Sequence, residues 1–111
     1  MNPRRNEIYL AEVEFADMPK SKPRPVLIIS NNRYNENHPD VITIGMTTAF
    51  HHDCFIELNE KDLTDGDFYD GSGFRYDHVQ RTSKNQLKHK VGKISDEFHK
   101  ILFDKIVELI K

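Results

Sequence analysis

An arginine flanked by two prolines is the residue of this sequence best suited to hold a phosphate group. Arg24 stands between Pro23 and Pro25, at the start of the apolar, β-branched run Pro25–Ser30. Pro25 favours an extended backbone at the arginine, and Pro23 stiffens the approach to it. A guanidinium presented in this way offers a planar set of donors that matches a phosphate. Taken alone, the same residues also fit an ordinary surface arginine in a turn.

Two hydroxyl groups end another apolar run. Val41–Thr48 has the β-branched composition of a strand, and Thr47 and Thr48 are its last residues. Hydroxyl groups at a strand end can donate hydrogen bonds to phosphate oxygens. Threonine is also common in strands because of its shape, so this pair alone does not establish a site.

Composition restricts the class of protein. The chain has 111 residues, a net charge of −2, 37% hydrophobic residues and one cysteine. This size predicts one domain, spanning residues 1–111, with one modest core. Cys54 cannot form an internal disulfide, which fits a reducing compartment. Because no segment has the character of a signal peptide or a membrane span, we expect a soluble, cytoplasmic protein that does not contact membranes.

Charge is distributed unevenly. The segment Arg81–Lys93 carries five basic residues and no acid, whereas Asp53–Asp70 is rich in acids. A net negative charge argues against indiscriminate binding to a polyanion, but a local basic strip can still bind nucleic acid. Two solvated faces of opposite sign would produce the same pattern.

Periodicity predicts a mainly β protein with a C-terminal helix, folded as a small SH3-like barrel. The runs Ala16–Lys22, Asn31–Asp40 and Asp65–Gly73 have the composition of loops or turns. Alternating or β-branched runs predict five strands and a short sixth, at Glu7–Phe15, Pro25–Ser30, Val41–Thr48, Cys54–Leu58, Phe74–Arg81 and Val91–Ile94.

Ser95 is a good N-cap for a helix over Asp96–Ile110. Its apolar residues cover about 240° of the circumference, more than one core-facing side requires. We therefore expect a partner chain on the second side, in a symmetric homodimer. The alternative is a helix set deeply into its own domain.

The segment His51–Cys54 is the one compact group of potential metal ligands in the sequence. Adjacent residues of a strand point to opposite faces, and no spaced cysteine or histidine completes a zinc site. We predict no metal and no cofactor.

The order of these segments resembles the MazF/PemK (Kid-like) toxins. The most specific matching piece is Lys22–Ser30, which contains Arg-Pro-Val-Leu-Ile-Ile-Ser. The other matches are weaker singly and follow in the family's order: Glu7–Phe15, Met46–Thr48, Asp77–Gln80, and Lys93–Ser95 with the helix that follows.

The resemblance implies a CcdB/PemK-like barrel and a toxin of a type II toxin–antitoxin system, with an antitoxin as a further partner. It implies metal-independent, sequence-selective cleavage of single-stranded RNA to 2′,3′-cyclic phosphate and 5′-hydroxyl ends. Arg24 and Thr47 are the expected catalytic pair. The expected RNA-binding residues come from the neighbouring loops and the basic strip: Lys20, Lys22, Thr48, Tyr34, Arg81 and Lys84.

One departure concerns the general base. Many members of that family carry a longer loop before the Arg-Pro motif, with a glutamate proposed as the base, and this chain has no glutamate there. Asp17, His51 and His52 are the candidates by their position in the sequence. A histidine suits proton transfer at neutral pH best.

Two other functions fit the same sequence. A non-catalytic module of the same fold would bind a protein target, as relatives resembling CcdB bind DNA gyrase, and Arg24 would then be structural. A regulator that binds a partner protein through the helix is the third reading.

Overall fold

A computed structural model of the chain describes residues 2–12, 23–48 and 52–111. These segments contain two helices, α1 at Asn32–Asn37 and α2 at Asp96–Ile110. Short 3₁₀ turns occupy Glu60–Asp62 and Lys84–Gln86. The strands are β1 at Glu7–Ala11, β2 at Arg24–Ile28, β3 at Asp40–Thr47, β4 at Phe55–Glu57, β5 at Leu63–Gly66, β6 at Gly73–Ser83 and β7 at Leu87–Ile94.

The strands form one sheet in the order β4-β6-β3-β2-β1-β7-β5, and every neighbouring pair is antiparallel. The predicted mainly β fold with a C-terminal helix is confirmed. The predicted barrel is not closed, because β4 and β5 are the two edges of the sheet. These strands have 3 and 4 residues, respectively, and within the described segments they pair only with β6 and β7.

The central strand β2 explains why its sequence is apolar without alternation. Its Val26, Leu27 and Ile28 are all fully buried, and they alternate between two clusters on opposite faces. The main cluster also receives Ile8, Ile44, Met46, Leu58, Phe74, Ile94, Phe98 and Leu102. The second cluster contains Tyr9, Ala11, Val41 and Leu87.

Helix α2 has the bounds that its sequence predicts. The Ser95 hydroxyl accepts a hydrogen bond from the Phe98 backbone N–H at 3.1 Å, and this cap fixes the first turn. Phe98 and Leu102 are buried in the main cluster, which Ile106 also contacts. The remaining apolar side chains of the helix are largely exposed.

The prediction of a loop over Asn31–Asp40 is wrong, because α1 lies within it. The Asn31 side chain caps this helix by accepting from the Tyr34 N–H at 2.8 Å. Asn35 is buried and hydrogen-bonds to the side chain and carbonyl of Ser30. These are polar, tertiary contacts, so no apolar periodicity marks the helix in the sequence.

The strand predictions also differ from the structure in extent. Strand β5 occupies part of the expected turn Asp65–Gly73, and β7 begins at Leu87 instead of Val91. Both gain their hydrogen bonds by pairing with a distant strand, which composition does not reveal. The end of the predicted strand Glu7–Phe15 lies outside the described residues. Within the described chain, neither helix combines the length and apolarity needed to cross a membrane.

Candidate functional site

The site begins where the pairing of β2 with β3 stops. The last pair is Val26 with Gly45. The N–H of Ile29 donates to Ile42 of β3 at 2.9 Å, so odd-numbered residues of β2 direct their N–H groups toward β3. Residue 25 follows this parity but is proline, which has no N–H to donate. The two strands therefore separate at this point.

A cavity of about 630 Å³ opens between the separated strand ends. Arg24, Pro25, Met46, Thr47 and Thr48 line one side of it. Continuing the β2–β3 register places Arg24 opposite Thr47, and residues opposite each other share a face of the sheet. The structure therefore brings together the two residues predicted to be catalytic, and Thr48 with them.

The Arg24 side chain lacks a partner for one of its donors. Its Nε is buried and has no hydrogen-bond acceptor within the part of the chain that the structure describes. An unsatisfied buried donor is unfavourable, so such groups are usually paired with protein, water or a ligand. An anion in the cavity would satisfy it.

A second arginine lies on the same face, in a bulge of β6. Ile44 pairs with Val79 and Gly45 with Arg75, so residues 76–78 are extra residues on β6. Within the bulge, Arg75 Nε and Nη2 donate to the two carboxylate oxygens of Asp77, each at 2.8 Å. The Arg75 guanidinium lowers the pKa of the Asp77 carboxyl through these hydrogen bonds. Neither residue was predicted to belong to the site.

Other predicted RNA-binding residues lie at the opposite end of β3. Tyr34 Oη donates to Asp40 at 2.7 Å, and Arg81 Nε lies 3.0 Å from the same carboxylate. The backbone N–H of Lys84 donates to Pro39 at this end. Asp40 and Thr47 are the two ends of β3, roughly 23 Å apart at the usual rise per residue. The structure does not bring these residues to the cavity, and their RNA-binding role stays a prediction.

Acidic side chains from neighbouring strands contact much of the basic strip. Lys88 lies 3.2 Å from Glu12, and Lys90 lies 3.5 Å from Glu7 and 3.6 Å from Asp65. With Arg81 bound to Asp40, the strip is a series of ion pairs rather than a uniformly cationic surface.

Four of the predicted residues, Asp17, Lys20, Lys22 and His51, lie outside the described residues. The remaining base candidate, His52, does not line the cavity. It lies in a turn before β4, where its Nδ1 accepts from the Cys54 N–H at 3.0 Å.

The same turn places potential metal ligands closer together than the sequence suggests. Ligand atoms of His52, Asp53 and Cys54 lie within 4.8 Å of one another. We expected this segment to alternate as a strand, but β4 begins only at Phe55. The hydrogen bond to Cys54 occupies one ring nitrogen of His52, and only Asp53 of the three residues is largely exposed.

The rest of the cavity lining was not predicted. It consists of Asp67, Phe68, Tyr69 and Ser72, from the loop between β5 and β6. Its Asp- and Gly-rich composition indicated only a turn. The signal available in the sequence was a pair of aromatic residues within a polar loop, which is unusual for a solvated turn.

Comparisons with known proteins agree with this fold. A family model described as "PemK-like, MazF-like toxin of type II toxin-antitoxin system" matches residues 4–110. A Deinococcus radiodurans MazE–MazF structure aligns with a TM-score of 0.74 and 15% identity, covering 99% of this chain and 96% of that one.

Two mycobacterial structures give similar alignments. An endoribonuclease in complex with its cognate antitoxin aligns with a TM-score of 0.67 and 20% identity, over 98% of this chain and 89% of that one. The Mycobacterium tuberculosis toxin MazF-mt6 aligns with a TM-score of 0.66 and 18% identity, over 92% and 93%. A comparison with curated protein sequences finds no match. Since the family model covers nearly the whole chain, this protein belongs to the PemK-like, MazF-like toxins of type II toxin–antitoxin systems.

Proposed function

We propose that this toxin is a metal-independent, sequence-selective endoribonuclease that cleaves single-stranded RNA in the cavity between β2 and β3. The observation that carries the proposal is the buried Arg24 Nε, which has no acceptor among the described residues and lies in the same cavity as Thr47. A phosphodiester supplies the anion that this donor lacks. Two solved relatives whose names describe endoribonucleases have the same fold, which supports the reaction class.

The reaction is an internal transfer of the phosphate. The ribose 2′-oxygen attacks the adjacent phosphorus, the bond from phosphorus to the 5′-oxygen breaks, and a 2′,3′-cyclic phosphate and a 5′-hydroxyl result. A base takes the 2′-hydroxyl proton, and the departing 5′-oxygen gains one. Arg24 stabilises the charge that builds on the phosphorane, and Thr47 and Thr48 orient the phosphate by hydrogen bonds.

The base that accepts the 2′-hydroxyl proton is one of three candidates, Asp17, His51 or His52. Asp17 and His51 lie outside the described residues, and His52 lies outside the cavity wall. A histidine would give a rate that rises as its imidazole loses a proton near neutral pH. A comparison of pH–rate profiles for single variants of Asp17, His51 and His52 would identify the base.

We also propose two protein partners. Solved relatives were determined as complexes with an antitoxin, and the cavity that receives RNA would receive an acidic antitoxin segment equally well. A second copy of this chain is the other partner, through the exposed apolar side of α2.

The proposal is tested with purified protein and a long single-stranded RNA in EDTA. We expect discrete fragments with cyclic phosphate ends from the wild type. Loss of one transition-state donor costs about 100- to 1,000-fold in rate, so we expect Arg24→Ala to lower cleavage by at least about 100-fold. Thr47→Val, which keeps the shape and removes the hydroxyl, should also cleave slowly.

Arg4→Ala is the matched control, because Arg4 is an exposed arginine that pairs with Glu36 at 3.6 Å and does not line the cavity. It should cleave within a few-fold of the wild type. RNA left intact by a folded wild type, across several sequences, would contradict the proposal and favour a module that binds a protein target. Equal cleavage by Arg24→Ala and the wild type would remove Arg24 from the site.

A further inference from the structure

The lining of the cavity carries charges of both signs. Arg24 comes from the start of β2, whereas Asp67 comes from the loop between β5 and β6. Asp67 has no ion-pair partner among residues 2–12, 23–48 and 52–111, although its neighbour Asp65 pairs with Lys90 at 3.6 Å. A bound phosphate is attracted to Arg24 and repelled from Asp67. The base attached to that nucleotide is thereby directed toward the loop.

An aromatic ring beside Asp67 is exposed to solvent. Tyr69 lines the cavity, yet 88% of its surface is accessible, the largest fraction among the exposed large hydrophobic residues. A ring in this position adds little to the core of the protein. Aromatic side chains exposed beside a nucleic-acid site commonly stack on unpaired bases.

The loop that carries Tyr69 is fixed on both sides of that residue. The Phe68 ring packs against the main core cluster and lies so close to Gly92 that an added Cβ there would be 2.9 Å from its Cε2. Ser72 is buried, its N–H donates to the Tyr69 carbonyl at 3.1 Å, and its carbonyl accepts from Leu58 at 2.9 Å. The exposed ring is therefore presented on a positioned backbone.

We propose that Tyr69 and Asp67 form a base subsite beside the scissile phosphate, where Tyr69 stacks on the base and Asp67 accepts a hydrogen bond from its exocyclic amino group. The proposal rests on the ribonuclease function above and adds a substrate preference to it. Cytosine and uracil have the same ring size but differ at position 4, which is an amino donor in cytosine and a carbonyl acceptor in uracil. A carboxylate accepts from the amino group and repels the carbonyl. The subsite therefore selects bases that carry an exocyclic amino group, namely cytosine, adenine and guanine, over uracil.

The first experiment measures cleavage of a single-stranded RNA pool with a randomised segment, followed by sequencing of the 5′-hydroxyl fragment ends. For the wild type, we expect discrimination against uracil at one position beside the cut. Asp67→Asn should lose this discrimination, because an amide can donate to the uracil carbonyl. Asp70→Asn, which removes an equal charge from the same loop outside this cavity, should keep it.

The ring is tested by its removal and by a conservative change. Tyr69→Ala should lower the cleavage rate by roughly five- to 150-fold, the effect of removing a base-stacking aromatic residue. Tyr69→Phe keeps the ring and should cleave within about twofold of the wild type. Thermal unfolding checks that each variant is folded, and we expect no loss of stability because both side chains are exposed.

A binding experiment separates this inference from the ribonuclease function. Binding is measured by fluorescence anisotropy with labelled oligodeoxycytidine and oligothymidine, which lack the attacking 2′-hydroxyl. The wild type should bind oligodeoxycytidine more tightly than oligothymidine. Asp67→Asn should bind the two oligonucleotides with equal affinity. If the wild type cleaves no RNA but keeps this preference, the ribonuclease function fails and the base subsite stands. If the wild type cleaves RNA and both Asp67→Asn and Tyr69→Ala retain its rate and base preference, the subsite is wrong and the function stands.

Discussion

Arg24 shows how neighbouring residues determine the chemistry available to one side chain. Pro25 ends the pairing of β2 with β3, so the arginine that precedes it faces a cavity instead of a neighbouring strand. Among residues 2–12, 23–48 and 52–111 its buried Nε has no acceptor, and a buried donor left in that state costs about 1–3 kcal/mol. A ligand that accepts from this donor recovers that cost, and the recovery adds to its binding. The same argument explains why lysine, with a single charged centre, is a poor substitute for this arginine.

The pair formed by Arg75 and Asp77 predicts a dependence of stability on pH. The pKa of Asp77 is lowered from its ordinary value of 3.8, so the folded state favours the ionised carboxylate. The stabilisation is complete above that ordinary value and is lost as pH falls through the lowered pKa. At neutral pH we expect Asp77→Asn to unfold at a lower temperature than the wild type. Its free energy of unfolding should be lower by about 1 kcal/mol or less.

The difference between Asp77→Asn and the wild type should shrink as the pH falls below 3.8, as followed by circular dichroism melts across a pH series. Asp70→Asn is the control, because Asp70 is exposed and has no ion-pair partner within the described chain. If the difference in unfolding temperature between Asp77→Asn and the wild type stays constant down to strongly acidic pH, the effect does not come from this ion pair.

Among the secondary-structure elements, those with a local pattern in the sequence were predicted, and those held only by contacts with distant residues were not. The bounds of α2 follow from Ser95 and a regular apolar pattern, both of which are local. In contrast, α1 depends on buried hydrogen bonds between Asn35 and Ser30. The first half of β7 depends on pairing with β1, more than 70 residues earlier in the chain.

The candidate site divides in the same way. Arg24 and Thr47 each belong to a recognisable strand motif, and the sequence identified both. Asp67 and Tyr69 reach the cavity because β5 and β6 carry their connecting loop back over the ends of β2 and β3. The aromatic pair marks the loop as unusual, but no local pattern encodes its return to the cavity, so its place in the lining was visible only in the structure.

The cap of α2 is testable at the level of the element. Ser95→Ala removes the acceptor for the Phe98 N–H, and loss of such a cap costs about 1 kcal/mol. We expect a lower midpoint in urea with an unchanged slope. Ser95→Asp supplies another capping acceptor with a charge that favours the N-terminus, so it should restore the midpoint. Equal destabilisation by both variants would show that the Ser95 hydroxyl stabilises the fold in some other way.

At the scale of the whole molecule, α2 has two apolar sides, and the described residues cover only one of them. Phe98 and Leu102 face the main core cluster. Phe103, Val107 and Ile110 have the spacing of a second stripe, and Phe103 and Ile110 are 54% and 81% exposed. An apolar stripe on a helix that already packs against its own core is typical of a surface that binds another chain.

We predict that this second stripe forms a homodimer. An aspartate at Phe103 would place a charge in the centre of the interface, so Phe103→Asp should be a folded monomer under conditions in which the wild type is a dimer, as measured by light scattering coupled to size exclusion. Ile101 is the matched control, because it is 52% exposed but lies roughly 160° around the helix from Phe103. Ile101→Asp should therefore remain dimeric. A monomeric wild type would contradict the predicted dimer. If both variants are dimers, the interface lies on another surface. Circular dichroism of each variant checks that a change in oligomeric state is not caused by unfolding.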